Sequence, residues 1–400
     1  MAEVRTVDVA VLGGGLAGNL IARQLRRQVP GVTVAMFERN TETSWKVGES
    51  SVEIAANYFI RRQGLTSYLY QHHLPKNGLR FFFDTPEKSA DLFSMTELGS
   101  RHLLRLPSFQ LDRARLERDL LRMNREAGVD VRLGARVHDL ALGSVPPDSA
   151  EDASPGFHEF TVTEGDVQTR WRCRWLVDAS GRASLVARNL DLRIPFDLPI
   201  AAVWGRFRGH ADMDDIGPPE WRARAQHTAR FLSTNHFCYP GYWIWFIPLG
   251  QGVMSVGWVG DQALFSDAMR KEQGFLDFLR GHRAVWDLLH QGEAELLDVL
   301  SYKKLAYATR RFFRGEQRWF LIGEAGAFTD PFYSPGSDFI ALEADFITDL
   351  IARDHAGEAR ADLRERSDAY DEFMQFRFAA TALLYKDLYS VLGSYELLKL

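Results

Sequence analysis

Residues 7–18 read VDVAVLGGGLAG, and residues 19–38 continue NLIARQLRRQVPGVTVAMFE. Val7–Leu12 is a near-continuous apolar run of strand length, the mark of a parallel strand buried on both faces. Gly13-x-Gly15-x-x-Gly18 follows it, then a helical stretch from Asn19 to Gln28, then a second buried strand, Val32–Phe37, ending at Glu38. In such a unit the first glycine permits the tight turn. The second lets a pyrophosphate approach the backbone, and the third lets helix and strand pack closely. The helix start supplies free N–H groups and the positive dipole end to the phosphates, and Leu16 and Ala17 within the glycine turn are expected to bind the cofactor. Glu38 lies 20 residues after Gly18, where a carboxylate caps the adenosine ribose, with Arg39 beside it. A carboxylate there opposes a 2′-phosphate, so FAD and NAD remain as the dinucleotide.

The rest of the chain sets the frame around this unit. At ~150 residues per domain, 400 residues admit two to three domains or one large fused unit. The formal net charge of −5 gives no basic excess for nucleic acid or an anionic membrane. Two cysteines, Cys173 and Cys238, are too few for a disulfide framework and fit a reducing cytoplasm. The most apolar stretch, Tyr242–Leu249, is far shorter than the ~20 residues of a spanning helix. His72-His73 and His236-x-Cys238 lack metal-ligand spacing and read as surface and core residues, so no metal is expected.

Further strands are expected at Leu79–Phe83, Val129–Leu133, Phe157–Val162, Thr169–Val177, Ala201–Phe207, Ala229–Leu232, Tyr242–Pro248, Met254–Val259 and Trp319–Ile322. Helices are expected at Val52–Gln63, Leu111–Ala127, Phe275–Gln291, Asp338–Arg353 and Asp368–Leu397, and a turn over 145–155. The fold class is α/β. A Rossmann-like FAD-binding domain is expected from residues 1–78, 106–190 and 300–352, interrupted by a β-sheet substrate domain (79–105 and 191–299) and followed by C-terminal helices (353–400).

Two later segments separate FAD from NAD. Asp178-Ala-Ser-Gly-Arg182 follows a strand, and so does Gly323-Glu-Ala-Gly326, with Asp330-Pro331 and then Ser334-Pro335-Gly336 opening a helix. With these pieces, Gly48-Glu49-Ser50, Lys76-x-x-x-x-Phe81 and Trp243-x-Trp245-x-Ile247-Pro248, the chain resembles the flavin-dependent halogenases, within the aromatic-hydroxylase type of FAD monooxygenase. The resemblance runs from about Val7 to Ile351.

That resemblance implies FAD supplied reduced by a separate flavin reductase, molecular oxygen as cosubstrate, and chloride or bromide as a halide. It implies an aromatic substrate, either a small molecule or one tethered to a carrier or peptide. It places Glu49, Ser50, Arg113, Asp178, Gly323, Glu324, Pro331, Gly336 and Ser337 on the flavin side. Lys76 would hold or activate hypohalous acid between flavin and substrate, although a surface lysine is the plain alternative. Arg113 is equally readable as part of a solvated helix face. Trp243 and Trp245, two apart on a strand, share one side and make a rigid apolar wall.

One departure from the family pattern bears on the reaction. Pro335 stands where many halogenases carry Thr or Ser, and proline has no N–H to offer a halide. Tyr333 likewise stands where tryptophan halogenases carry glutamate, and Glu324 replaces an Asp. The expectation from Pro335 is hydroxylation of an electron-rich aromatic through a flavin C4a-hydroperoxide, with halogenation through Lys76 as the alternative. A flavin reductase or dehydrogenase without oxygen transfer is a second alternative; it would need a nicotinamide fingerprint, and no second GxGxxG is present.

Overall fold

The computed structural model describes residues 4–143, 156–225 and 227–398; the turn expected over 145–155 lies outside them. Val4–Leu12 is the central strand of an eight-stranded sheet. It pairs in parallel with Val34–Glu38 on one side and Val167–Asp178 on the other. Asp130–Leu133 and Trp319–Leu321 extend the parallel set outward. Leu12 is in register with both Phe37 and Asp178, so the Gly13 turn leaves the sheet in the crevice between two neighbouring strand ends. Ligands of open α/β sheets bind at such a crevice. The helices Leu16–Gln28, Arg113–Glu126 and Gly336–His355 bury their apolar stripes against one face of this sheet.

A second, seven-stranded sheet runs in the order Glu295–Tyr302, Ile200–Arg208, Val253–Asp261, Tyr242–Gly250, Thr234–Tyr239, Leu79–Phe83, Thr96–Gly99. Its four central strands are buried on both faces, and the period of two sorts the side chains. Phe82, Phe237, Ile244 and Phe246 pack under the helices Glu272–Arg280 and Arg283–His290. Phe81, Phe83, Cys238, Trp243, Trp245 and Ile247 pack on the opposite face, together with Phe332 and the C-terminal residues Tyr385, Leu388 and Leu392.

Three expected elements differ. Ala229–Leu232 is not a strand: the N–H groups of Arg230 and Phe231 go to the Asp214 carboxylate, and the pairing segment is Thr234–Tyr239. Asn235 and His236 disguised that strand, yet all six of its residues are buried. Phe275–Gln291 is two helices, because His282 leaves helical geometry and its ring bonds the Phe278 carbonyl and Tyr242 hydroxyl instead. The C-terminal helix is Arg360–Tyr385, stopped by Asp387 at φ +62°, and only short helices, Leu388–Val391 and Tyr395–Leu398, follow. Val52–Gln63 is helical, its second half being a π-turn at Tyr58–Arg62.

Candidate active site

The glycine turn has the shape a dinucleotide requires. Gly13 sits at φ +114°, and a Cβ there would lie 2.3 Å from the Ala179 carbonyl oxygen. At Gly18 a Cβ would lie 1.9 Å from the Gly13 carbonyl oxygen, so this residue sets the helix-to-strand approach. Gly15 differs: a Cβ there would meet only the Lys46 amine, 4.0 Å away. That space is open on the ligand side, as close approach of a pyrophosphate needs. The Leu16–Gln28 helix has no side-chain N-cap and no acidic residue in its first turn, leaving the dipole end to an anion.

Glu38 is held in place from both sides. Its Oε2 accepts the Gly14 N–H at 2.8 Å, and its Oε1 accepts the backbone and side-chain N–H groups of Asn40. The carboxylate is thereby fixed at the rim of the glycine turn. Arg39 next to it is exposed, and its charge reaches Tyr302.

The second flavin-side loop meets the first directly. A Cβ on Gly323 (φ +61°) would lie 3.2 Å from Ala17 Cβ, and the Gly323 N–H donates to Glu343 at 2.6 Å. Burial pushes the Glu343 carboxyl up to about 8. Burial also raises Glu324, whose carboxyl is pulled back by Arg182, Arg113 and Lys46. Lys46 thus stands on the open side of Gly15, and it and Arg113 lie within electrostatic reach of Glu324. This arrangement and the glycine cradle fit FAD.

Two of the expected flavin-side carboxylates are otherwise engaged. Asp178 accepts the N–H groups of Ser180 and Val186, so it shapes its own turn. Glu49 is fully buried in an ion pair with Arg206, whose Nη2 is 2.7 Å away; Arg206 also reaches Asp298. Arg113 is in part committed too, donating to the Val47 carbonyl and to Glu117. The partnership of Glu49 with Arg206 spans 157 residues and has no local sequence signal.

Lys76 is the most informative side chain. It is 5% exposed, not a surface lysine. Its amine donates to Ser50 Oγ at 2.8 Å and to the Ser51 carbonyl at 3.0 Å. Ser50 Oγ in turn bonds Thr234 Oγ1, which Gln110 also reaches. Burial drives the Lys76 amine down to about 7, against the upward pull of Glu53 and Asp338. That shift brings the neutral, lone-pair-bearing form of the amine into the range of neutral pH.

Asp338 belongs to the start of the Gly336–His355 helix, so this helix start lies within electrostatic reach of Lys76. Pro335 occupies the N-cap position, after a left-handed Ser334 (φ +57°). Its carbonyl accepts the N–H groups of Asp338 and Phe339. Gly336 and Ser337 are the first two residues of the helix, where N–H groups have no intrahelical acceptor. Pro331 turns the chain just before them, and its carbonyl accepts from Ser334.

The aromatic wall forms as two-residue spacing on a strand demands. The Trp243 and Trp245 rings are 5.7 Å apart, and Phe332 meets Trp243 edge-on at 5.2 Å. Trp245 donates to Ser255 at 3.0 Å and Trp243 to the Tyr389 hydroxyl at 3.3 Å. His236, read as a core residue, is buried between Phe81 and Trp243, and burial lowers it to about 3. Among the described residues no group of three or more His, Cys, Asp or Glu side chains could hold a metal ion, and no helix is long and apolar enough to cross a membrane.

Comparison with known proteins agrees with this geometry. The FAD binding domain family model matches residues 6–231. The flavin-dependent halogenase chlA of Dictyostelium discoideum is 28% identical over 97% of this chain and 66% of its own length. Tryptophan 2-halogenase of Chondromyces crocatus is 25% identical over 96% of this chain and 68% of its own. This chain thus spans about two thirds of the length of these relatives. The crystal structure of halogenase PltM superposes with a TM-score of 0.79 at 17% identity, covering 97% of this chain and 77% of that one. The chain belongs to the FAD-binding domain family, and over most of its length it is similar to flavin-dependent halogenases.

Proposed function

We propose that the protein halogenates an electron-rich aromatic substrate, using FAD reduced by a separate flavin reductase, molecular oxygen, and chloride or bromide. The observation that carries this reading is the position of Lys76. It is a buried amine, lowered to about 7, within electrostatic reach of the helix that starts at Gly336. An amine in that state can capture an electrophilic halogen through its lone pair, or donate a hydrogen bond to hypohalous acid.

Reduced FAD, when bound, activates oxygen, and the protein's own residues do the rest. Gly13–Gly18 and Glu38 hold the adenosine diphosphate half. Glu324, Arg113 and Lys46 order the crevice beside it. Trp243, Trp245 and Phe332 exclude water between the flavin side and the substrate side. Pro335 removes one halide donor, the feature that favoured hydroxylation from sequence. Gly336 and Ser337 follow it at the helix N-terminus, so two N–H groups and the dipole remain for an anion. The relatives named above are halogenases, which also supports this reading over hydroxylation. The residues 79–105 and 191–299 form the substrate-side unit of this proposal. The substrate itself is a small aromatic or one tethered to a carrier; a carrier-bound pyrrole is named for one relative, from Pseudomonas fluorescens.

The test is product mass after incubation with a flavin reductase, oxygen and an indole, phenol or pyrrole panel, with and without bromide. A halogenated product whose yield saturates with bromide supports the proposal. An oxygenated product indifferent to bromide refutes it in favour of hydroxylation.

A further inference from the structure

Trp243 belongs to the seven-stranded sheet, and the loop that leads into the Gly336 helix follows the Trp319–Leu321 strand of the other sheet, distant in sequence. Besides the ring contact of Phe332 with Trp243, a side chain from the C-terminal segment joins them. The Trp243 indole N–H donates to the Tyr389 hydroxyl at 3.3 Å, and that hydroxyl donates to the Asp330 carboxylate. The other Asp330 oxygen accepts the Phe332 N–H at 2.8 Å. Asp330 is fully buried, and burial pushes its carboxyl up to about 6 against the pull of Tyr389 and the Phe332 N–H.

The backbone reinforces the same junction. The Tyr389 carbonyl accepts the Gly241 N–H at 3.0 Å, at the turn that leads into the Trp243 strand. Gly393 packs so closely on Pro240 that a Cβ there would lie 2.7 Å from the proline ring. Asp387, at φ +62°, is what turns the chain back from the long helix to make these contacts. Three pieces are therefore tied by one residue: the hairpin turn, the tryptophan wall, and the Asp330–Ser334 turn that orients the helix start.

We propose that Tyr389 is a positioning residue, a clasp that fixes the helix start at Gly336 and Ser337 relative to the Trp243 wall and so sets halide affinity. This rests on the halogenase reading for the halide part alone; the clasp itself is a property of the protein without its cofactor. The two Asp330 carboxylate oxygens serve one loop N–H and one C-terminal hydroxyl.

The test compares Tyr389→Phe, which removes one hydroxyl, with Leu392→Ala, which loosens the same segment by core packing alone (Leu392 is fully buried). In flavin-free protein, amide hydrogen exchange over residues 332–337 is expected to accelerate at least tenfold in Tyr389→Phe and to stay near wild type in Leu392→Ala. In the FAD-loaded enzyme, the KM for bromide is expected to rise about tenfold in Tyr389→Phe, with kcat at saturating bromide within twofold of wild type. Unchanged exchange in Tyr389→Phe overturns the clasp. Equal acceleration in both variants also overturns it, since the segment would then matter only for stability. Faster exchange with an unaltered bromide KM overturns the positioning role. Failure of the halogenase reading shows separately, as wild-type enzyme that yields no halogenated product, and the exchange comparison still decides the clasp in that case.

Discussion

Replacing Lys76 by methionine should stabilise the protein at neutral pH, and the gain should vanish in alkali. The lysine amine is lowered from 10.5 to about 7 by burial. Between those values the unfolded chain holds a proton that the folded chain lacks, so wild-type stability rises with pH. At ~1.4 kcal/mol per pKa unit, burying this ionisable group costs about 4 kcal/mol at pH 7 and about 2 kcal/mol at pH 9. The hydrogen bonds to Ser50 and the Ser51 carbonyl offset about 2 kcal/mol of that, at roughly 1 kcal/mol each. Methionine has similar length and no charge. Lys76→Met is therefore expected to be about 2 kcal/mol more stable than wild type at pH 7 and about equal to it at pH 9. Urea unfolding of flavin-free protein at the two pH values measures this, since all other titrations are common to both chains. A difference between the two proteins that does not move from pH 7 to pH 9 would refute the reasoning. Lys76 would then be a solvated or fully paired ammonium, and the argument for a lowered amine would fall with it.

The glycines separate binding from folding. Gly15→Val should leave the thermal unfolding midpoint near wild type and abolish FAD uptake, whereas Gly18→Val should collapse the fold, because its Cβ would lie 1.9 Å from a carbonyl oxygen; flavin fluorescence and circular dichroism distinguish the two. Glu49→Ala leaves the buried Arg206 with only Asp298 as an acid partner and should cost about 3–5 kcal/mol in denaturant unfolding. Lys76→Ala should lose halogenated product while reduced flavin is still reoxidised by oxygen, read by product mass and flavin absorbance in the same reaction. Halogenated product at the wild-type rate from that variant would remove Lys76 from the chemistry.

The strand–Gly turn–helix–strand unit was legible because each of its requirements is local. Apolar runs make the strands, Gly18 answers to Gly13 within the same turn, and Glu38 ends a strand that pairs beside them, although the close approach at Gly13 is to Ala179, far along the chain. The tryptophan wall was legible for the same reason, since a period of two is a property of the strand alone. Lys76 could be picked out only by resemblance. What makes it chemically interesting is burial against Ser50 and Ser51, 26 and 25 residues away, and no local pattern encodes burial. The commitment of Glu49 to Arg206, the misplacement of the Thr234–Tyr239 strand and the clasp at Tyr389 escaped the sequence in the same way. Each is a polar group whose partner lies far along the chain and is brought to it by the packing of the two sheets. The sequence by itself determined the dinucleotide unit and the faces of the strands, because propensity and periodicity act over a few residues. Only the tertiary structure decided that Glu49 is committed to Arg206 and that the Lys76 amine is buried and lowered, because desolvation and pairing depend on neighbours that folding alone supplies.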